Sequence, residues 1–109
     1  MPPTTWADPV HLWADDVVAE WTRGVWEADL TDRIEPDGMY RLRFASQSPE
    51  PPHIDRVEML VGAVPRPDLA RQDSGRDDVI LLTAPSSATP ITLRVVLVGG
   101  GGHVLLRRL

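Results

Sequence analysis

The clearest pattern in the chain is the alternation of apolar and polar residues in Tyr40-Arg41-Leu42-Arg43-Phe44, within TDRIEPDGMYRLRF (31–44). Successive side chains of a β-strand point to opposite faces, so this alternation predicts a half-buried strand with its arginines outward. Pro36-Asp37-Gly38, just before it, has the residue types of a tight turn. The segments ITLRVVLV (91–98) and HVLLRRL (103–109) predict two more strands, and we interpret Gly99 to Gly102 as the hairpin turn that joins them.

The middle of the chain adds two strands and two long loops. In IDRVEMLVGAV (54–64), Ile54 is out of phase with Val57, Met59 and Val61, which a β-bulge near Asp55-Arg56 would explain. The apolar run VILLTA (79–84) has turn signals on both sides, as expected of a buried strand. Residues 45–53 and the charged segment 65–78 are predicted loops.

The N-terminal third is less regular. Residues 1–12 contain three prolines and few apolar anchors, which predicts a loose arm. A short helix or turn is possible over Ala14–Glu20, although Val17, Val18, Trp21, Val25 and Trp26 favour strands around a bend at Arg23-Gly24. Residues 13–109 then form a single domain of six or seven short strands. This pattern is typical of an all-β antiparallel sandwich, and we expect a jelly-roll-like one.

The strand faces also predict the core. Trp21 and Trp26 fall on probable strands, and a sandwich of this size needs large buried side chains. A further set of alternating residues should point inward: Tyr40, Leu42, Phe44, Val57, Met59, Leu93, Val95 and Leu97.

Composition limits the functional classes. A chain of 109 residues with net charge −5 suits one domain and argues against a general nucleic-acid binder. Cysteine is absent, so thiolate chemistry and disulfides are excluded. We expect no membrane segment and no signal peptide, hence a cytoplasmic protein as written, or an extracellular one if it was cut from a larger secreted protein. All eleven basic residues are arginine, which reflects either a GC-rich bacterial genome or selection for bidentate recognition of carboxylate or phosphate.

Framework residues carry a resemblance to a known family. The order W-x-x-x-V-x-x-E-W, W-x-x-D-x-T-D-x-I-x-x-x-G-x-Y-x-x-R-F and I-D-x-V-E-x-L runs from Trp13 through Trp26 to Leu60. It resembles the small galactose-binding-like β-sandwich accessory domains of bacterial glycoside hydrolases, over residues 13–109. The resemblance implies a jelly-roll-like sandwich and a non-catalytic carbohydrate-binding role, alone or attached to an enzyme.

The outward charges form the first candidate site. Arg41 and Arg43 share one side of their strand, and Glu58 and Arg94 are outward on theirs. If these strands are neighbours, the four residues form a ladder across one sheet face, with Glu58 the first candidate partner of Arg43. Such a ladder is either a solvated set of ion pairs, each contributing about 0.2–1 kcal/mol, or a platform for a uronic or sialic acid.

Aromatic residues near the N-terminus form the second candidate site. Trp6 and Trp13 lie in the poorly patterned segment, and exposed tryptophans bind sugars or mark interfaces. Trp13 therefore joins the candidate ligand-binding set. Two functions remain open: a carbohydrate-binding module, and a structural or interaction domain that docks on a protein partner, or self-associates, through an apolar aromatic patch.

We expect no enzyme, metal or cofactor. The histidines at 11, 53 and 103 lack metal-ligand spacing, and the serines have no glycine-flanked elbow. Gly99 to Gly102 is followed by no lysine and no helix pattern, so it is not a phosphate-binding loop.

Overall fold

The computed structural model describes residues 16–31, 33–86 and 90–109, and folds them into two antiparallel sheets packed face to face. One sheet has the order β1-β9-β3-β7-β6 and the other β2-β8-β4-β5. The first contains β1 (Asp16–Trp21), β3 (Met39–Ser46), β6 (Ala70–Gln72), β7 (Val79–Thr83) and β9 (Gly102–Arg108). The second contains β2 (Gly24–Asp29), β4 (His53–Val61), β5 (Val64–Pro65) and β8 (Ile91–Val98). These ranges contain no helix, so the predicted antiparallel sandwich is confirmed, while the jelly-roll class stays a prediction.

Alternation sets the inner and outer face of each strand, as the sequence predicts. In β3, Leu42 and Phe44 are fully buried between the sheets, while Arg41 and Arg43 are only partly covered. The other predicted core residues are buried too, except Val57, which is partly exposed and packs against the core. Burial of these apolar side chains between the sheets is the main force that holds the two layers together.

Three aromatic rings form one end of the core. Phe44 meets Trp21 edge-on, with ring centroids 6.1 Å apart, and meets Trp26 in the same way at 5.3 Å. The indole N–H of Trp21 donates to the Ala45 carbonyl, 3.0 Å away, so its polar atom is satisfied inside the fold. The predicted core role of Trp21 and Trp26 is confirmed, with exposures of 2% and 4%.

The start of β1 differs from one expectation. Residues 16–20, within the range given as a possible helix or turn, form part of strand β1, which pairs with β9. β-branched residues such as Val17 and Val18 pack better on a pleated sheet than in a helix. The bend at Arg23-Gly24 is confirmed, since β2 begins at Gly24. The loose arm 1–12, Trp6 and Trp13 lie outside the described residues.

The predicted bulge is present in β4. Its register against β8 shifts between Ile54 and Arg56, so Asp55 is the extra residue. This allows Ile54 and Met59 both to point inward, with exposures of 2% and 1%, although five positions separate them.

The turn before β3 also follows the prediction. The Gly38 N–H donates to the Glu35 carbonyl at 3.1 Å, and Asp37 has a φ of 61°. A proline followed by a residue with positive φ is the pattern of a type II turn. The Tyr40 hydroxyl accepts a bond from the Glu35 N–H at 2.8 Å, which fastens the turn to the strand.

Two loop predictions need correction. The segment 65–78 is not irregular throughout, because Ala70–Gln72 forms β6 and pairs with β7. The four glycines are not a hairpin turn, because β8 and β9 belong to different sheets. A β-carbon on Gly100 would lie 1.9 Å from the Ser48 hydroxyl oxygen, and one on Gly102 would lie 1.9 Å from the Ala45 carbonyl oxygen. The glycines thus let the chain cross between the layers in close contact with the end of β3 and with the β3–β4 loop.

Candidate functional site

The predicted ladder of Arg41, Arg43, Glu58 and Arg94 is divided between opposite surfaces of the sandwich. Arg41 and Arg43 lie on the outer face of the five-stranded sheet, through β3. Glu58 on β4 and Arg94 on β8 lie on the outer face of the four-stranded sheet. The expected pairing of Arg43 with Glu58 is therefore wrong. Consecutive strands usually neighbour one another, but here β3 and β4 are in different sheets.

Arg94 is held between two carboxylates. Its Nε lies 2.8 Å from Glu27 on β2, and its Nη1 lies 3.4 Å from Glu58 on β4. The three residues are directly opposite one another across β2, β8 and β4. The hydrogen bond to Glu27, with a smaller contribution from Glu58, raises the pKa of Arg94. This half of the ladder is a structural cross-strand ion-pair network.

Arg43 has a different acidic neighbour. Its Nε lies 3.5 Å from the Asp78 carboxylate, which also binds Arg76 at 3.2 Å. Asp78 directly precedes β7, the strand next to β3. The acidic neighbour of Arg43 therefore comes from the segment before the adjacent strand, and neither from Glu58 nor from within that strand.

We expect Arg43→Gln to lower the free energy of unfolding by less than about 1 kcal/mol, because a partly exposed ion pair contributes little. Its side chain is 41% exposed. Urea unfolding followed by tryptophan fluorescence measures the difference. A loss of several kcal/mol would show that Arg43 supports the fold, and would remove it from the candidate binding residues.

The five-stranded sheet brings two further arginines to the same surface. Arg41 on β3 lies directly opposite Arg107 on β9 and Leu81 on β7, and Leu81 lies opposite Arg71 on β6. Arg107, Arg41, Leu81 and Arg71 therefore form one row across four strands. Arg43 lies in the adjacent row, between Leu105 and Val79.

We call Arg41, Arg43, Arg71 and Arg107 the arginine face. Arg71 and Arg107 are exposed, and Arg41 and Arg43 are half-buried. By strand register, the acidic residues of the described chain at this surface are Glu20, opposite His103, and Asp78. Among the described residues, four arginines and two acidic residues therefore lie at this face, in a chain with net charge −5. Cationic groups concentrated on one surface attract anionic ligands.

Arg107 and Arg71 were not among the sequence candidates. The alternation of His103, Leu105 and Arg107 does place Arg107 outward, and that signal was available in the sequence. Arg71 could not be found in this way, because its strand is three residues long and lies within a charged segment.

A separate cleft of about 290 Å³ lies at one end of the sandwich. It is lined by Glu20, Trp21, Thr22, Gln47, Ser48 and Gly100 to Gly102. Trp21 is only 2% exposed and offers no ring face for stacking, so the cleft could hold a small polar ligand by hydrogen bonds alone. Gln47 contacts His103 Nε2 beside it.

Other chemistry has little support in the described ranges. Residues 16–31, 33–86 and 90–109 contain no group of three histidine, cysteine, aspartate or glutamate side chains placed to hold a metal ion. No helix in that part of the chain is long and apolar enough to cross a membrane.

Comparisons with known proteins do not extend this picture. No protein-family model matches the chain, and no curated protein shows significant similarity to it. Any function must therefore be inferred from the surfaces themselves.

Proposed function

We propose that this chain is a non-catalytic β-sandwich module that binds anionic carbohydrate through its arginine face, alone or as an accessory domain of a larger enzyme. The resemblance to galactose-binding-like accessory domains supports the carbohydrate part of this proposal. The charge of the face supports the anionic part.

The observation that carries the proposal is the direct cross-strand opposition of Arg41 and Arg107. Like charges directly opposite each other on a sheet are destabilising. Their row, from Arg107 to Arg71, brings three guanidinium groups to one surface. An anionic ligand that bound this row would reduce the repulsion among them.

The side chains suit the carboxylate of a uronic or sialic acid. A guanidinium presents a planar fork of N–H donors that matches a carboxylate in two parallel hydrogen bonds. Leu81 and Leu105, both partly exposed, lie beside the arginines and can pack against the C–H faces of a sugar ring. The repeated carboxylates of an acidic polysaccharide could engage more than one arginine at once.

The test is titration calorimetry with uronate and sialic-acid oligosaccharides. We expect binding that weakens as salt is raised, because charge pairs at an exposed face are screened. Arg107→Gln should weaken binding at least about tenfold, which corresponds to about 1.4 kcal/mol. Arg107 has no ion pair with any residue that the structure describes, so its loss should not lower the free energy of unfolding. Relief of the repulsion from Arg41 should raise that free energy by at most about 1 kcal/mol.

Arg56→Gln is the matched control, because it removes the same charge from the opposite sheet, where Arg56 is also exposed. It should bind like the parent. Equal loss in both variants would show that only net charge matters. Equal binding of a neutral oligosaccharide, with the carboxylates reduced to hydroxymethyl groups, would refute recognition of the acid.

A second candidate function is docking on a partner protein. Val25 and Val98 are 43% and 47% exposed on the outer face of the four-stranded sheet, with Val96 partly exposed beside them. The patch is aliphatic rather than aromatic, because all four described aromatic residues are buried: Trp21, Trp26, Tyr40 and Phe44. Trp6 and Trp13 lie outside the described residues.

A further inference from the structure

We propose that the arginine face binds a linear polyuronate of at least four rings, laid across the strands along the row from Arg107 to Arg71. This inference rests on the proposed function and specifies the class, length and direction of the ligand. The ends of the row carry it, because Arg107 and Arg71 are exposed and form no ion pair with any residue that the structure describes. An anion can bind both guanidinium groups without breaking an existing ion pair.

The order of the strands gives the distance between these two ends. Arg107 is on β9 and Arg71 is on β6, with β3 and β7 between them. Neighbouring strands lie about 4.8 Å apart, so three spacings separate the two backbone positions by roughly 14 Å. A sialic acid at the end of a glycan brings a single carboxylate to this surface, whereas a polyuronate brings one on every ring. The separation therefore favours the polymer.

The row also matches such a polymer ring by ring. Each ring of an extended polyuronate lengthens the chain by about one strand spacing, so four consecutive rings lie over β9, β3, β7 and β6. The first, second and fourth rings then face Arg107, Arg41 and Arg71. The third ring lies over Leu81, which is partly exposed and can pack against the apolar C–H face of that ring.

Apolar side chains border the row on both sides. Residues two apart on a strand share a face, which places Met39 beside Arg41 and Leu105 beside Arg107. Met39 is 55% exposed, and Leu105 is partly exposed. A chain of sugar rings offers apolar C–H groups to these side chains as well as carboxylates to the arginines. The surface therefore suits a polyuronate better than a polyanion without rings.

Titration calorimetry with galacturonate oligomers of two, four and six rings tests the length of the site. We expect the tetramer to bind at least about tenfold more tightly than the dimer, because contacts at the second end of the row are made within one complex. The hexamer should add little. Equal affinities for the dimer and the tetramer would overturn the extended row and leave carbohydrate binding in place.

Sialic-acid oligosaccharides in the same experiment separate this inference from the proposed function. Binding of those ligands without any binding of galacturonates would overturn only the polyuronate. If neither class binds, both proposals are wrong.

Arg71→Gln tests the direction of the ligand. It should weaken binding of the tetramer about tenfold and that of the dimer less than about twofold, because a dimer held at Arg107 and Arg41 does not reach β6. Arg107→Gln should weaken both oligomers, and Arg56→Gln, on the opposite sheet, should weaken neither. Far-ultraviolet circular dichroism checks that each variant folds. Equal effects of Arg71→Gln on the two oligomers, or none on the tetramer, would overturn the proposed path across the strands.

Tetraglutamate tests the contribution of the rings, because it carries the side-chain carboxylates without them. We expect it to bind at least about tenfold more weakly than the galacturonate tetramer. Leu81→Thr should weaken binding of the galacturonate tetramer and leave that of tetraglutamate unchanged. Met39→Ala, at an exposed position, is a second variant with the same expectation if Leu81→Thr does not fold. Equal binding of the two tetramers would show that charge alone is recognised and would overturn the choice of a polyuronate.

Discussion

Gly102→Ala is expected to lower the free energy of unfolding by more than about 4 kcal/mol, a loss that few single substitutions cause. The added β-carbon would lie 1.9 Å from the Ala45 carbonyl oxygen and 3.0 Å from the Gln47 backbone nitrogen. Both contacts are with backbone atoms, so a change of side-chain rotamer cannot relieve the clash. Relief requires β3 and β9 to separate where the chain enters β9. Urea unfolding followed by tryptophan fluorescence measures the effect.

Gly75→Ala is the matched control for this effect. A β-carbon there would meet nothing within 4 Å, but the residue has a φ of 79°. The substitution should therefore cost only the backbone penalty of about 1–2 kcal/mol. Equal losses for the two variants would show that conformational freedom, and not close approach of the strands, explains the need for glycine at 102.

Phe44→Ala is expected to cost about 3–5 kcal/mol, the usual penalty for emptying a large buried aromatic site. Phe44 is fully buried and contacts the edges of both Trp21 and Trp26. A domain of this size is typically stable by about 5–15 kcal/mol, so the loss is a large share of the total. Urea unfolding of the parent and the variant gives the difference in their free energies of unfolding. Both curves are fitted with one common dependence of that free energy on urea concentration.

Met39→Ala, on the same strand, supplies the comparison. Met39 is 55% exposed, and its truncation should change stability by less than about 0.5 kcal/mol. A small effect for Phe44 together with a large one for Met39 would show that the inner and outer faces of β3 are reversed.

Local pattern predicted much of the fold. The alternation in β3, the bulge at Asp55 and the turn at Pro36-Asp37 are properties of a few adjacent residues, and all three are present. The face that a strand buries is fixed by its own period of two. Sheet membership depends on contacts between distant segments, and no short window contains that information.

In the candidate site, too, local features were predictable from the sequence and the pairing of distant strands was not. The outward direction of Arg41 and Arg43 was predictable, but the sheet that each neighbouring strand joins was not. Glu58 and Arg94 consequently lie on the other surface, where they pair with each other. Arg71 and Arg107 reach the arginine face only through the pairing of β6 with β7 and of β9 with β3. The glycine segment was misinterpreted for the same reason, because a turn between layers and a hairpin have similar composition.

The positions of β8 and β9 also bear on how this protein is made. β8 lies between β2 and β4, and β9 lies between β1 and β3, so the last two strands occupy the interior of both sheets. During synthesis, β1 and β3 have no common neighbour until residues 102–108 have left the ribosome. Four earlier strands, β1 to β4, lack at least one neighbouring strand until β8 and β9 are made, which favours assistance by chaperones over folding during translation.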